Sequence, residues 1–338
     1  MREDLGIIPD DDRALLRHAA EWPDHPCLTD LKRPVLAQVA AERGADFATA
    51  LLYDRLRRSE PHGPFIRRVD ELLSQPPVEP GPINAMVAVA PGLFYRELPR
   101  SGADGWLLRQ RVAAHGCRTA VLPTHSQGTV AENGKRICAW LSKHPHEMIL
   151  LASLSKGAAD IKAALAQPEA NEAFRPVAAW LNLSGMPDGT PLVNWLFQRK
   201  LMTLVCQAMY WWKGLDFAVN RQLAWGPDAV LDFALELPAH VRMINVVGFP
   251  LRRHFTSSRL RRCHRRIAPL GPNDGFVLLA DACALPGLVY PVWGADHNLR
   301  PAWDIRRLVA ALAYYLAETL NLWASPTTDA SPQAASGS

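Results

Sequence analysis

Residues 146–167 read HEMILLASLSKGAADIKAALAQ, and this stretch indicates the fold of the chain. Its first part, MILLAS, is uniformly apolar, as expected for a strand that is buried on both faces of a parallel sheet. Its second part, AADIKAALA, consists of strong helix formers. The segment SLSKG at 153–157 separates the two, so the strand must turn into the helix within a few residues. A serine between small residues at such a turn is typical of a nucleophile elbow, where the serine hydroxyl stands above the sheet.

The alternation of strand and helix continues on both sides of this stretch. The apolar runs that we interpret as further strands are INAMVAVAPG, CRTAVLPT, FRPVAAWLNLSG, VRMINVVGFP and GLVYPVWG. Helical patterns lie between neighbouring strands. GADGWLLRQRVAAHG follows INAMVAVAPG, and VAENGKRICAWLSKH follows CRTAVLPT. Strands that alternate with helices predict an α/β fold whose mainly parallel central sheet is covered by helices on both faces.

The remaining segments predict the domain organisation. Apolar residues spaced three and four apart predict a helical N-terminal extension over 1–80, and the prolines of QPPVEPGP at 75–82 predict a linker. We expect the main domain at 81–325. Within it, the aromatic-rich interruption at about 190–238 is predicted to be a mostly helical cap. The small, polar tail at 326–338 is predicted to be disordered.

Composition excludes some classes of function. The 338 residues are 49% hydrophobic and 21% charged, which is ordinary for a soluble enzyme. The formal net charge of +4 is small for this length, so we expect no nucleic-acid partner. Arginine is concentrated in RRHFTSSRLRRCHRR at 252–266. That cluster leaves two interpretations open: a solvated basic helix or loop, or a patch that contacts anionic substrates or a membrane surface transiently.

Cysteines and the N-terminus bear on redox chemistry and location. The six cysteines stand singly without a CxxC pair, which argues against a zinc site and a disulfide-stapled scaffold. The first residues, MREDLGIIPDDDR, lack the basic and apolar regions of a signal peptide. No apolar run approaches the roughly 18 residues of a membrane helix. We therefore expect a cytoplasmic protein with reduced thiols and without a metal or organic cofactor.

A second serine has a similar local setting. THSQG at 124–128 also carries a serine with glycine two places on, so Ser126 satisfies the same local sterics as Ser155. The strand before Ser126 is shorter and contains Pro123, which is typical of a peripheral strand end. These patterns favour Ser155. A nucleophile at Ser126, and the absence of a nucleophile at either serine, both stay open.

Two longer segments carry a resemblance to a known family. PTHSQGTVAENGKRICAWL at 123–141 resembles the loop and helix that precede the nucleophile strand of bacterial lipases. GMPDGTPLVNWL at 185–196 resembles the stretch that leads into the lipase lid. From residue 86 on, the chain resembles the α/β-hydrolase superfamily, and within it the bacterial serine esterases and lipases. In that superfamily the nucleophile follows the strand two after the oxyanion loop, which implies Ser155.

The chain departs from the superfamily pattern at two places. Ser153 stands two residues before Ser155, where glycine is usual, although serine is also small. The first strand of the main domain ends in Pro-Gly-Leu, where His-Gly is commoner. The hydrogen-bonding support that a histidine gives to the oxyanion loop is therefore absent. Neither departure removes a catalytic group.

The resemblance also implies the partners of the serine. The superfamily order is Ser, then Asp or Glu, then His. His297, in GADHN after the last predicted strand, is the implied general base, and Asp274 in PNDGFV is the implied acid. Asp188 and Asp281 remain alternatives for the acid. Asp296 is poorly placed, since it directly precedes the histidine.

The same reasoning extends to the oxyanion hole and the substrate. The backbone amides of Leu93 and Lys156 are the expected oxyanion donors. Trp211 and Trp212, in AMYWWKGLDF, are expected to pack in the cap or to line an apolar acyl pocket. The expected partner is a small-molecule ester or lipid. A thioesterase or amidase with the same triad, or a non-catalytic binding protein of this fold, stays open, as does the oligomeric state.

Overall fold

A computed structural model of the chain describes residues 9–75, 82–300 and 305–323. Most of the predicted linker at 75–82 and the whole predicted tail at 326–338 lie outside these residues. The described residues form one sheet with the strand order β2-β1-β3-β4-β5-β6, in which every neighbouring pair is parallel. The strands are β1 (Met86–Ala90), β2 (Arg118–Val121), β3 (Ile149–Leu154), β4 (Val177–Leu183), β5 (Arg242–Phe249) and β6 (Leu288–Trp293). The predicted α/β fold with a mainly parallel sheet is confirmed.

Thirteen α-helices are described around this sheet. They are α1 (Asp10–Glu21), α2 (Arg33–Arg43), α3 (Ala45–Arg58), α4 (His62–Ser74), α5 (Trp106–Ala113), α6 (Val130–Leu141), α7 (Lys156–Leu165), α8 (Ala170–Ala173), α9 (Pro191–Phe197), α10 (Lys200–Trp212), α11 (Ser258–Ile267), α12 (Leu279–Cys283) and α13 (Ile305–Leu320). Short 3₁₀ helices occur at Leu28–Asp30, Pro99–Ser101, Phe217–Leu223, Arg252–His254 and Ala268–Leu270.

The sheet separates two hydrophobic cores because side chains alternate along each strand. In β1, Val87 and Val89 belong to one core, whereas Ala88 and Ala90 belong to the other. Helices α6, α7 and α8 supply much of the second core. The first core includes side chains from α1 to α5 and from α12 and α13. Burial on both faces explains why the central strands are continuous apolar runs in the sequence.

The four N-terminal helices therefore pack directly on the main domain. Their side chains share one core with the strands, and α3 and α4 both contact β6. Asp12 in α1 is fully buried and accepts a hydrogen bond of 2.8 Å from Trp293 Nε1 at the end of β6. His254 Nε2 lies 3.0 Å from the same carboxylate. The first helix is thus anchored close to the strand end that leads to His297.

The predicted cap region begins with α9 and α10 and continues through the 3₁₀ helix Phe217–Leu223. Residues 224–241 form turns and irregular structure instead of helix. The expectation of a mostly helical segment thus fits its first part. Among the described residues, no helix combines the length and apolarity needed to cross a membrane. Within the same ranges, no three His, Cys, Asp or Glu side chains group as metal ligands.

Candidate active site

Ser155 occupies a sharp turn between β3, which ends at Leu154, and α7, which begins at Lys156. Its backbone has φ 50° and ψ −114°, a conformation that is sparsely populated for a residue with a Cβ carbon. Such strain persists only where the surrounding structure enforces it, and it is concentrated at functional sites. The predicted sharp strand-to-helix turn at Ser155 is therefore present, with a strained backbone at the serine.

Small residues on either side of Ser155 make this turn possible. A Cβ carbon added to Gly157 would collide with the carbonyl oxygen of Ala90, so α7 can begin this close to β1 because residue 157 is glycine. Ser153 is fully buried. Its hydroxyl donates to Asn182 Oδ1 at 2.9 Å and accepts from Trp180 Nε1 at 2.8 Å. The buried hydroxyl of Ser153 is thus fully hydrogen-bonded, so the sheet accommodates serine at this position.

The imidazole of His297 lies between Ser155 and Asp274. Its Nε2 is 3.1 Å from Ser155 Oγ, and its Nδ1 is 2.9 Å from Asp274 Oδ2. The ring is buried, and the Phe276 ring packs against it with the two ring centroids 4.7 Å apart. The histidine amide also donates to the Asp274 carbonyl oxygen at 2.9 Å. The structure therefore brings together Ser155, His297 and Asp274, the three residues expected to form a triad.

Asp274 is held by its own turn. Its Oδ1 accepts the backbone amides of Phe276 at 2.9 Å and Val277 at 2.7 Å, which leaves Oδ2 directed at His297. The side chain is buried, so both carboxylate oxygens are satisfied within the protein. The neighbouring Asp296 instead accepts amides of its own loop, and burial raises its pKa.

The alternative acids are engaged elsewhere. Asp188 forms an ion pair with the buried Lys162. Asp281 forms an ion pair with Arg33 at 2.7 Å, and it accepts from Trp225 Nε1 at 3.0 Å. Burial raises the pKa of Asp281, and the ion pair with Arg33 opposes that shift. Both side chains thus have structural partners away from the histidine.

Ser126 also has another role. Its hydroxyl lies 2.6 Å from both carboxylate oxygens of Glu97. Gln127 donates to the same carboxylate at 3.0 Å, and its side-chain oxygen accepts the amide of Asp216 in the cap region. THSQG is therefore a polar connection between the sheet edge and the cap. The backbone of Ser126 lacks the positive φ that Ser155 has.

The loop after β1 approaches the nucleophile turn. A Cβ added to Gly92 would lie 3.7 Å from the Ser155 Cβ and 3.3 Å from the Leu154 carbonyl oxygen. The Gly92 amide donates to the Ala103 carbonyl oxygen at 2.8 Å. The next amide, that of Leu93, donates to no acceptor among the described residues. The loop thus brings a free donor near Ser155.

Lys156 contributes a buried ion pair that the sequence did not reveal. Its Nζ lies 2.6 Å from Asp160 Oδ1, and both side chains are 2% exposed. Asn133 Nδ2 donates to the other oxygen of Asp160 at 3.0 Å. Burial raises the pKa of Asp160 to about 6, and the attraction of Lys156 opposes that rise. A pair spaced by four residues is common on exposed helix faces, so nothing in the pattern signalled burial.

The two tryptophans of the cap are placed differently from the prediction. Trp211 and Trp212, at the end of α10, are 84% and 78% exposed. Successive helix positions point in different directions, and here Tyr210 is turned inward, with its ring 5.6 Å from that of Phe94. Their exposure contradicts the expectation that they are buried between cap and core, whereas their contact with the acyl chain of a substrate stays a prediction.

Comparison with known proteins supports the fold. The sequence matches no protein-family model, and no curated protein is similar enough to count as a match. Among solved structures, the metagenomic carboxyl esterase MGS0156 aligns with 20% identity and a TM-score of 0.54, over 90% of this chain and 99% of that one. The Bacillus licheniformis lipase BlEst2 in mature form aligns at 18% identity and a TM-score of 0.46, over 73% of this chain and 95% of that one. Carboxylesterase CesB from Bacillus subtilis aligns at 14% identity and a TM-score of 0.34, over 77% and 96%.

Proposed function

We propose that this chain, which has the α/β-hydrolase fold, is a serine carboxylic-ester hydrolase that works through an acyl-enzyme. The observation that carries the proposal is the continuous hydrogen-bonded series Ser155–His297–Asp274. A buried carboxylate, an imidazole and a serine hydroxyl in this order form the arrangement that activates serine as a nucleophile. The esterase that shares this fold acts on carboxylic esters by its name, and we carry that substrate class over to this chain.

Each member of the proposed triad has one role. Ser155 Oγ attacks the ester carbonyl while His297 Nε2 takes its proton. Asp274 fixes the imidazole tautomer through Nδ1 and stabilises the imidazolium as it forms. The same histidine then delivers the proton to the leaving alcohol. Water hydrolyses the acyl-enzyme by the same route, with His297 again acting as the base. No metal or organic cofactor takes part in these steps.

The tetrahedral oxyanion needs donors near Ser155. We assign this role to the backbone amides of Leu93 and Lys156. The Leu93 amide follows the Gly92 loop beside the serine, and the Lys156 amide lies in the first turn of α7. Amides in the first turn of a helix lack intrahelical acceptors, and the helix dipole favours negative charge there. Losing one such donor typically lowers turnover about 10²–10³-fold.

Labelling by a fluorophosphonate probe tests the proposal. The wild-type protein should be labelled on Ser155, and labelling should disappear in Ser155→Ala but persist in Ser126→Ala. Absence of labelling in a folded protein would favour a non-catalytic binding protein of the same fold. A panel of p-nitrophenyl esters, matched acyl thioesters and acyl anilides should then give the highest kcat/KM with the esters. A clear preference for thioesters or anilides would instead identify a thioesterase or an amidase.

A further inference from the structure

Helix α10 exposes its apolar side chains and turns its more polar side inward. None of its thirteen residues is buried. It carries seven of the thirteen large hydrophobic side chains that are exposed among the described residues. They are Leu201, Met202, Leu204, Val205, Met209, Trp211 and Trp212. A contiguous set of this kind marks an interaction surface more often than an accident of packing.

The apolar and the more polar side chains of α10 lie on opposite sides of the helix. At 3.6 residues per turn, the seven side chains span an arc of about 180°. The opposite arc carries Thr203, Cys206, Gln207 and Tyr210, which are half-buried. Thr203 Oγ1 donates to the Leu196 carbonyl oxygen at 2.8 Å. An amphipathic helix on a water-exposed surface normally has the reverse orientation.

Basic side chains lie at both ends of the apolar face and on the neighbouring helix α11. Arg199 and Lys213 flank α10, and Lys200 is its first residue; all three are exposed. No Asp or Glu occurs between Gly189 and Leu215. Helix α11 contains no acidic residue. Its exposed arginines are Arg259, Arg261, Arg262 and Arg265.

Trp195 brings these two helices together. Helix α9, which carries this residue, packs against both α10 and α11. The guanidinium groups of Arg199 and Arg266 lie 4.2 Å and 4.1 Å from the centroid of the Trp195 ring. Helices α10 and α11 are therefore joined through α9, and Arg259 of α11 lies close enough to Tyr210 of α10 for its charge to oppose the rise that burial causes in the pKa of that phenol.

We propose that α10 and the exposed arginines of α11 form a docking surface for an anionic lipid–water interface. Apolar side chains can enter the acyl boundary while basic side chains meet anionic headgroups, and tryptophan favours the depth between them. A second copy of the chain fits less well, because a two-fold contact would place the same basic surface against itself. The proposal goes beyond ester hydrolysis, since docking requires no turnover.

The position of this surface links it to the candidate active site. Tyr210, on the inward side of α10, packs against Phe94, which directly follows Leu93. A lipid that meets α10 therefore lies on the side of the molecule where the loop after β1 reaches Ser155. Docking at this surface would hold an amphiphilic ester close to the nucleophile.

Vesicle sedimentation of the full chain tests the proposal. The Ser155→Ala protein is used, so that lipid hydrolysis cannot alter the vesicles and failure of the proposed function leaves the result interpretable. It should bind vesicles of equal parts phosphatidylcholine and phosphatidylglycerol, and bind phosphatidylcholine alone far more weakly. Arg262→Glu with Arg265→Glu should weaken binding to the anionic vesicles roughly tenfold or more, since each basic group contributes about a factor of five. Trp211→Ser with Trp212→Ser should weaken it at both low and high salt.

Matched controls separate docking from general charge or hydrophobicity. Lys135→Glu with Arg136→Glu reverses the same number of exposed charges on α6, and Met148→Ser removes an exposed apolar side chain just before β3. Both should bind like the parent, with unchanged circular dichroism. Absence of vesicle binding by the parent, or equal losses in controls and test variants, would overturn the proposal. A parent protein that sediments as a dimer, with a monomeric tryptophan variant, would assign the surface to a second copy instead.

Discussion

The hydroxyl of Ser155 lies 3.1 Å from Nε2 of His297, although 142 residues separate them in the chain. Parallel strands bring them together, since β3 ends just before the serine and β6 ends shortly before the histidine. The carboxyl ends of parallel strands share one edge of the sheet, where their loops meet. Two further strands, β4 and β5, lie between β3 and β6.

The first prediction separates the two candidate serines. Ser155→Ala should reduce hydrolysis of p-nitrophenyl butyrate to the residual level of about 10³–10⁴-fold over water that oxyanion binding supplies. Ser126→Ala should keep most of the activity, because the Ser126 hydroxyl is bound to Glu97. Steady-state kcat values measure both effects. The reverse pattern would move the nucleophile to THSQG.

The second prediction concerns the acid. Asp274→Asn should lower kcat by about 10⁴-fold, because the amide no longer holds the productive imidazole tautomer. The fold should be retained, since the asparagine oxygen can still accept the amides of its turn. Asp188→Asn is the matched control, and its kcat should stay close to the wild-type value. If the control loses activity and Asp274→Asn does not, the acid has been assigned to the wrong residue.

The third prediction concerns the backbone at the elbow. Gly157→Ala should destabilise the protein by about 4 kcal/mol or more, because the new methyl group would meet the backbone of Ala90 and Pro91. Gly214→Ala is a useful comparison. Its φ is +65° but the space around it is open, so backbone strain alone should cost about 1–2 kcal/mol. Urea unfolding measures both, and similar values would mean that the close approach at Gly157 is readily relieved.

The fourth prediction concerns the buried pair behind the nucleophile. Lys156→Met should lower the free energy of unfolding by about 3–5 kcal/mol, because it leaves the Asp160 carboxylate buried without its cation. Combining it with Asp160→Leu should recover most of that loss, since no charge then remains buried. Chemical denaturation of the two single variants and the double variant measures the coupling. Simple addition of the two single losses would contradict a direct interaction.

The fifth prediction concerns pH. Burial raises the pKa of Asp160 to about 6 from its ordinary value of 3.8. Between those values the folded protein keeps a proton that the unfolded chain has released, so stability should fall as pH rises through this window. The total change is about 3 kcal/mol at most. Asp160→Asn should remove this contribution to the pH dependence, which denaturation at a series of pH values would show. An unaltered pH profile in that variant would assign the dependence to other groups.

The sequence alone predicted where the six strands lie along the chain and where the third strand turns into a helix at Ser155. Each of these features depends on residues that are close together in the chain. The apolar run MILLAS predicts a strand that is buried on both faces. Residue 157 has to be small, because α7 starts close to the backbone of Ala90 at the end of β1. The placement of His297 and Asp274 came from a resemblance in chain order, because no local pattern states that two loops will meet.

Only the tertiary structure decided which helix faces are buried against the rest of the protein and which are exposed to solvent. The apolar face of α10 would look the same in sequence if it were packed on the sheet, yet Trp211 and Trp212 are exposed. Lys156 and Asp160 have the spacing of a surface ion pair, yet α7 packs them inside. The sequence predicts the N-terminal helices as an extension, yet their side chains form one hydrophobic core with the strands. The physical reason is the same in each case: periodicity fixes which side chains share a face, whereas burial depends on what the rest of the chain places against that face.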